Sequence, residues 1–146
     1  MKKMLILIIA VSLLVISGCG VKNEAESDSW GLTLGIKDVT PNSATLLFSQ
    51  SGGEFDGILQ TGTMFYIEKE TDGKWIALST NPLIDFAWTM EAYIITVDGE
   101  TELKTEWEWL YGKLPAGTYR IKKDVMNFRK AGDFDTKTYS ATFVIE

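Results

Sequence analysis

The sequence predicts an all-β antiparallel sandwich of seven or eight strands, without a disulfide, between Trp30 and Glu146. Three observations lead there. Apolar and polar residues alternate with a period of two in short runs, as in strands with one buried and one wet face. Turn residues punctuate the runs, including Asp72-Gly73 and Asp98-Gly99, and Asp-Gly is a strong tight-turn signal. The stretch of 117 residues fits one sandwich of two sheets, with no internal repeat and no helix of consequence.

Composition narrows the function classes. The chain has 146 residues, 45% hydrophobic and 23% charged, the proportions of one compact domain long enough to bury a core. Its one cysteine, Cys19, leaves no intrachain disulfide, and the lack of histidine removes the commonest general base and metal ligand. No serine sits in a nucleophile motif and no glycine-rich loop leads from a strand into a helix, so neither an enzyme nor a cofactor is expected. The formal charge is −6; without Lys2 and Lys3, expected to be cleaved off, twelve basic residues face twenty acidic ones, giving −8. Nucleic acid is not an expected partner, since phosphate binding draws on clustered Lys and Arg.

Residues 1–18 have the parts of a secretory signal: basic Lys2-Lys3, an apolar run from Met4 to Ile16, and small Ser17-Gly18. That run is thirteen residues long, against the roughly 20 that a spanning helix needs. Ile16-Ser17-Gly18-Cys19 resembles the bacterial lipobox, which implies diacylglyceryl transfer to the Cys19 thiol and cleavage before it. The expected partner of this end is membrane lipid, and the expected location is extracytoplasmic, on the cell membrane. Each buried methylene of the acyl chains contributes about 0.8 kcal/mol. Residues 19–29 form the lipidated cysteine and a polar tether, Gly20 to Ser29, with a reach of roughly 17 Å.

From Trp30 the strands follow in order. Leu32, Leu34 and Ile36 alternate with polar residues, Pro41-Asn42-Ser43 turns the chain, and Ala44 to Gln50 forms the second strand. A loop, Ser51 to Gln60, precedes a hairpin of Met64 to Glu70 and Lys74 to Leu78 across Asp72-Gly73. Ser79 to Glu91 has no clear period. Ala92 to Val97 and Thr101 to Trp109 are expected to pair across Asp98-Gly99, with Trp107 and Trp109 inward. Leu114-Pro115-Ala116-Gly117 is a turn, and Tyr119 and Ile121 point inward on the strand that follows. A loop, Val125 to Lys137, leads to a last strand with Tyr139, Ala141, Phe143 and Ile145 inward.

Tyr119 after the Pro115 and Gly117 corner suggests the tyrosine corner of immunoglobulin-like sandwiches, whose hydroxyl bonds upstream backbone. The run from Trp107 to Ile121, with Gly62 to Lys69, Asp72 to Trp75 and Ala87-Trp88-Thr89, resembles bacterial immunoglobulin-like domains of secreted and lipid-anchored proteins. Phe128-Arg129 and Asp133-Phe134-Asp135 resemble that family's last loop. The resemblance implies a fold and an extracytoplasmic setting, and no catalytic residues.

In an immunoglobulin-like strand order the loops Ser51 to Gln60 and Val125 to Lys137 meet at one end. Phe55, Asp56, Phe128, Arg129, Asp133, Phe134 and Asp135 would gather there, mixing aromatic anchors with charge as at interface hot spots. Phe128 and Phe134 could instead cap the core. Asp56, Asp133 and Asp135 with Glu54 have no ordered calcium-loop pattern, so no metal is expected. Glu106 and Glu108 are expected to face solvent rather than flank a glycosidase cleft. Trp107, Trp109 and Tyr111 read as core rather than a sugar platform, and Phe86 and Trp88 as a cover folded over a sheet edge.

The function expected is a non-enzymatic, membrane-anchored lipoprotein displaying the domain for protein recognition or envelope scaffolding. Two alternatives remain open: inhibition of an envelope or secreted peptidase, and carbohydrate binding to wall polymers.

Overall fold

The computed structural model describes residues 28–146. The signal, Cys19 and most of the tether lie outside them. Among the described residues, nine strands and one helical turn follow in order: β1 Leu32–Lys37, β2 Ser43–Gln50, β3 Ile58–Thr61, β4 Tyr66–Thr71, β5 Lys74–Ala77, β6 Tyr93–Ile94, β7 Gly99–Glu106, α1 Glu108–Tyr111, β8 Gly117–Lys130 and β9 Asp133–Ile145. All strand pairs are antiparallel.

One sheet has the order β1-β2-β7. The other is built on β8, which pairs with β9 along nearly its whole length. Its other edge takes β4 over Tyr119 to Lys122 and β3 over Val125 to Phe128, with β5 and β6 beyond them. The two sheets face each other as a sandwich. Leu32, Leu34, Ala44, Leu46 and Phe48 come from the first sheet; Leu59, Ile67, Tyr119, Ile121, Val125, Ala141, Phe143 and Ile145 come from the second. Trp107 closes the core, fully buried, 5.4 Å from the Phe143 ring, with Nε1 donating to the Pro41 carbonyl at 2.9 Å.

The corner residues meet as a unit. The Tyr119 hydroxyl donates to the Pro115 carbonyl at 2.8 Å, and its ring stacks on Phe143 at 5.6 Å. Tyr119→Phe keeps the ring and loses that bond. The domain is expected to lose about 0.5–1.5 kcal/mol, read as a lower denaturant midpoint at unchanged slope.

Asp28, two residues before Trp30, is tied into the domain. Asp28 Oδ1 accepts from the Trp30 amide (3.0 Å), and Oδ2 accepts from Lys137 Nζ (2.6 Å) and the Tyr139 hydroxyl (2.7 Å). Lys137 also bonds the Ser29 hydroxyl at 2.6 Å and sits 4.3 Å over the Trp30 ring. Burial alone would raise the Asp28 pKa, but these bonds outweigh it and hold the carboxyl below its ordinary value. Burial and the Asp28 carboxylate together push the Tyr139 phenol up.

Four strand assignments differ from the expectation. Ile58 to Gln60, expected in a loop, belong to β3, which pairs with β6 and β8; one inward apolar residue, Leu59, is too little to show a period. Val125 to Lys137 is no loop: β8 and β9 run on as a long hairpin and turn at Ala131-Gly132, where Gly132 has φ 76. The inner positions there are Asn127, Arg129, Asp133 and Asp135, which lie beyond the core and so break the apolar period. Asp98-Gly99 is a crossover between sheets, because β6 pairs with β3 and β7 with β2. Buried Gln50 holds it by accepting from the Asp98 amide at 2.7 Å. Finally β7 ends at Glu106, and Trp107 caps a helical turn that places Leu110 in the core and leaves Trp109 41% exposed. The same alternating aromatics satisfy a short strand or one helical turn, so the period alone could not separate them.

Candidate functional site

The hairpin of β8 and β9 carries most of the candidate residues, on two sides. On its inner side Arg129 lies among three carboxylates. Nε donates to Asp133 Oδ1, and Nη1 donates to Asp56 Oδ1 and Asp135 Oδ2, each at 2.8 Å. Asp135, Asp133 and Asp56 hold the guanidinium pKa above its ordinary value. Arg129, then Asn127, lowers that of Asp56. Of the carboxylates considered as calcium ligands, Asp56, Asp133 and Asp135 are gathered around an arginine, with net charge −2, and Glu54 is not among them. Among the described residues no group of acidic, histidine or cysteine side chains forms a metal site.

Asn127 fixes the approaching loop. It is buried, its amide donates to Asp56 Oδ1 at 2.9 Å, and its carbonyl oxygen accepts from the Gly57 amide at 2.8 Å. A Cβ on Gly57 would lie 2.5 Å from the Phe128 carbonyl oxygen, so only glycine allows this contact.

Phe128 and Phe134 are direct cross-strand partners, and Ile58 is Phe128's partner on β3. Directly opposed residues share a face. Their face is the outer one, since buried Asn127, Val125 and Leu59 alternate with them. Ile58 is 51% and Phe134 47% exposed, so the phenylalanines do not cap the core. Met126 and exposed Ile94 extend the row. The expected single mixed patch is thus divided, with charges inside and the apolar row outside. Phe55, half-buried against the core, lines a shallow pocket with Asp56, Asn127 and Asp135 on the charged side, away from the apolar row. Sequence reasoning missed Ile58, although the inward Leu59 beside it is the signal that Ile58 faces out.

A second feature lies at the open edge of the first sheet. Phe86 and Trp88 fold back onto the core, as expected of a cover. Trp109 meets Trp88 and Phe86 edge to face, each at 5.7 Å, and Trp88 meets Phe65 at 5.2 Å. Thr63 and Thr89 hold the segment in place through hydroxyl and carbonyl bonds of 3.0–3.2 Å. Between these rings and β7 lies a cleft of about 400 Å³, within the range of ligand-binding pockets. Trp107 takes no part in it, because it is buried.

The nine-stranded sandwich, with its Tyr119 corner and crossover from β6 to β7, is matched by a family. The model of the bacterial Ig-like domain matches residues 28–144. No curated protein and no solved structure matches the chain significantly. That match runs from Asp28, whose carboxylate ties the start of the sandwich to the last strand, to Val144 in β9; the chain belongs to the bacterial Ig-like domain family.

Proposed function

We propose that this chain is a lipid-anchored extracytoplasmic protein whose Ig-like domain recognises another protein without catalysing a reaction. Membership of the family supports an interaction or scaffolding role. The observation that carries the finer reading is the outward row of Ile58, Phe128 and Phe134 on the long hairpin. Clustered exposed apolar side chains on a rigid sheet favour burial against a partner. The lipobox-like Ile16 to Cys19 supports the anchor.

Two variants of the full-length chain test the reading. With Cys19→Ser, the chain is expected to leave the membrane fraction or keep its signal; a cleaved chain that stays on the membrane contradicts acyl anchoring. With Phe128→Ala and Phe134→Ala together, the protein that co-purifies with the parent is expected to be lost while the fold's denaturation midpoint holds. Equal recovery by both would move recognition elsewhere.

A further inference from the structure

We propose a second binding site, independent of the hairpin: the free edge of β7 and the aromatic cleft beside it take an extended peptide segment as an added strand. The first observation is topological. Among the described residues, β7 is the terminal strand of its sheet and pairs only with β2. Trp107, opposite Asn42 in the same register, donates its amide to the Asn42 carbonyl at 3.0 Å. In an antiparallel ladder alternate residues bond each neighbour. Thr105, Leu103 and Thr101 therefore bond β2, and the N–H and C=O groups of Glu102, Lys104 and Glu106 point to the open side. Trp109 Nε1 donating to the Glu106 carbonyl at 2.8 Å agrees with that direction and occupies one of these groups. Among the described residues, no backbone bond reaches Glu102 or Lys104 from this side.

The second observation is the cleft. Residues of an added strand facing Leu103 and Thr105 share their inner face, and that face opens onto the cleft lined by Phe65, Trp88 and Trp109. Its volume accepts a large apolar side chain. The third is charge. The exposed side chains along the edge read Glu102, Lys104, Glu106; Glu102 pairs with Lys37 and Lys104 with Glu106 at 3.0 Å, exposed pairs weak enough for a bound strand to exchange for its own. Complementary pairing calls for basic, acidic, basic at the facing positions, with apolar residues between them. The occupant is thus a protein segment in which Lys or Arg and Glu or Asp alternate with apolar, preferably aromatic, residues. Added strands gain affinity from main-chain bonds and specificity from alternate side chains.

The test uses the full-length chain in mild detergent and an array of eight-residue peptides. In it, alternate positions are varied over Lys, Glu and Ser, and the others over aromatic and aliphatic residues. Retained peptides are expected to carry the basic, acidic, basic pattern with an aromatic residue between. Methylation of their backbone nitrogens is expected to weaken binding at least tenfold at every second position and to be tolerated at the positions between. Lys104→Glu, on the surface, is expected to switch the preferred facing residue from acidic to basic. The proposal is overturned if no peptide is retained, if methylation has no two-residue period, or if retained peptides are insensitive to Lys104→Glu. Retention of wall-derived oligosaccharides in the cleft in place of peptides overturns it as well.

Discussion

Trp107→Ala is expected to lower the stability of the domain by about 3–5 kcal/mol, a large fraction of the roughly 5–15 kcal/mol of a typical domain. The ring is fully buried against Phe143, and its N–H supplies the Pro41 carbonyl. Alanine would leave a cavity between the sheets and remove one of the two donors to the Pro41 carbonyl, which keeps the Leu114 amide at 2.9 Å. Trp107→Phe, which keeps an aromatic ring and loses only the N–H, is expected to fall between parent and alanine. Urea unfolding of the three proteins checks the order; a loss below about 1 kcal/mol for alanine would contradict the position of Trp107 in the core.

The second large effect is a pH dependence. Lys123 lies on the inner face of β8 between Ile121 and Val125, 1% exposed. Its ammonium donates to the Met64 carbonyl at 2.8 Å and to the Gly62 carbonyl. Burial lowers its pKa from 10.5 to about 8, against a smaller opposing effect of Asp124. Above pH 10.5 the amine is neutral in both folded and unfolded chains. As the pH falls from 10.5 towards 8 the unfolded chain takes up the proton first, so stability falls. Below 8 both states are charged and the loss is complete, at about 3 kcal/mol. In Lys123→Met this contribution is absent. The stability of the parent minus that of Lys123→Met is therefore expected to rise by about 3 kcal/mol between pH 8 and 10.5. Denaturation midpoints of both proteins across that range check it; a constant difference would mean that the amine titrates normally.

Where the inner face is apolar, the strands were legible in the sequence. Leu32 and Leu34, the turn at Asp72-Gly73, and Tyr139 to Ile145 all fall where alternation and turn chemistry place them. The pattern fails where a strand outruns the core. β8 and β9 continue past Val125 with Asn127, Arg129, Asp133 and Asp135 inside, and polar residues at inner positions read as a loop. Asp98 and Asp72 both have positive φ, so one dipeptide serves a crossover and a hairpin alike, and only long-range pairing decides between them. Of the candidate site, the union of Asp56 with Arg129, Asp133 and Asp135 was legible from the strand order. Its separation from Phe128 and Phe134 was not, because it depends on the register of a strand that the sequence did not reveal. The cleft at β7 was hidden for another reason: it needs the helical turn that brings Trp109 out to meet Trp88, and Lys123 gives no outward sign of burial.

The most direct test of recognition through the hairpin is site-specific photo-crosslinking in cells, with benzoylphenylalanine placed at position 134 of the full-length chain. Position 142, on the same outer face of β9 and eight residues from the apolar row, is the control. The expected result is a discrete protein adduct from position 134, diminished by Ile58→Ser, and none from position 142. Equal adducts from both positions, or none from position 134 alongside adducts elsewhere on the domain, would contradict it.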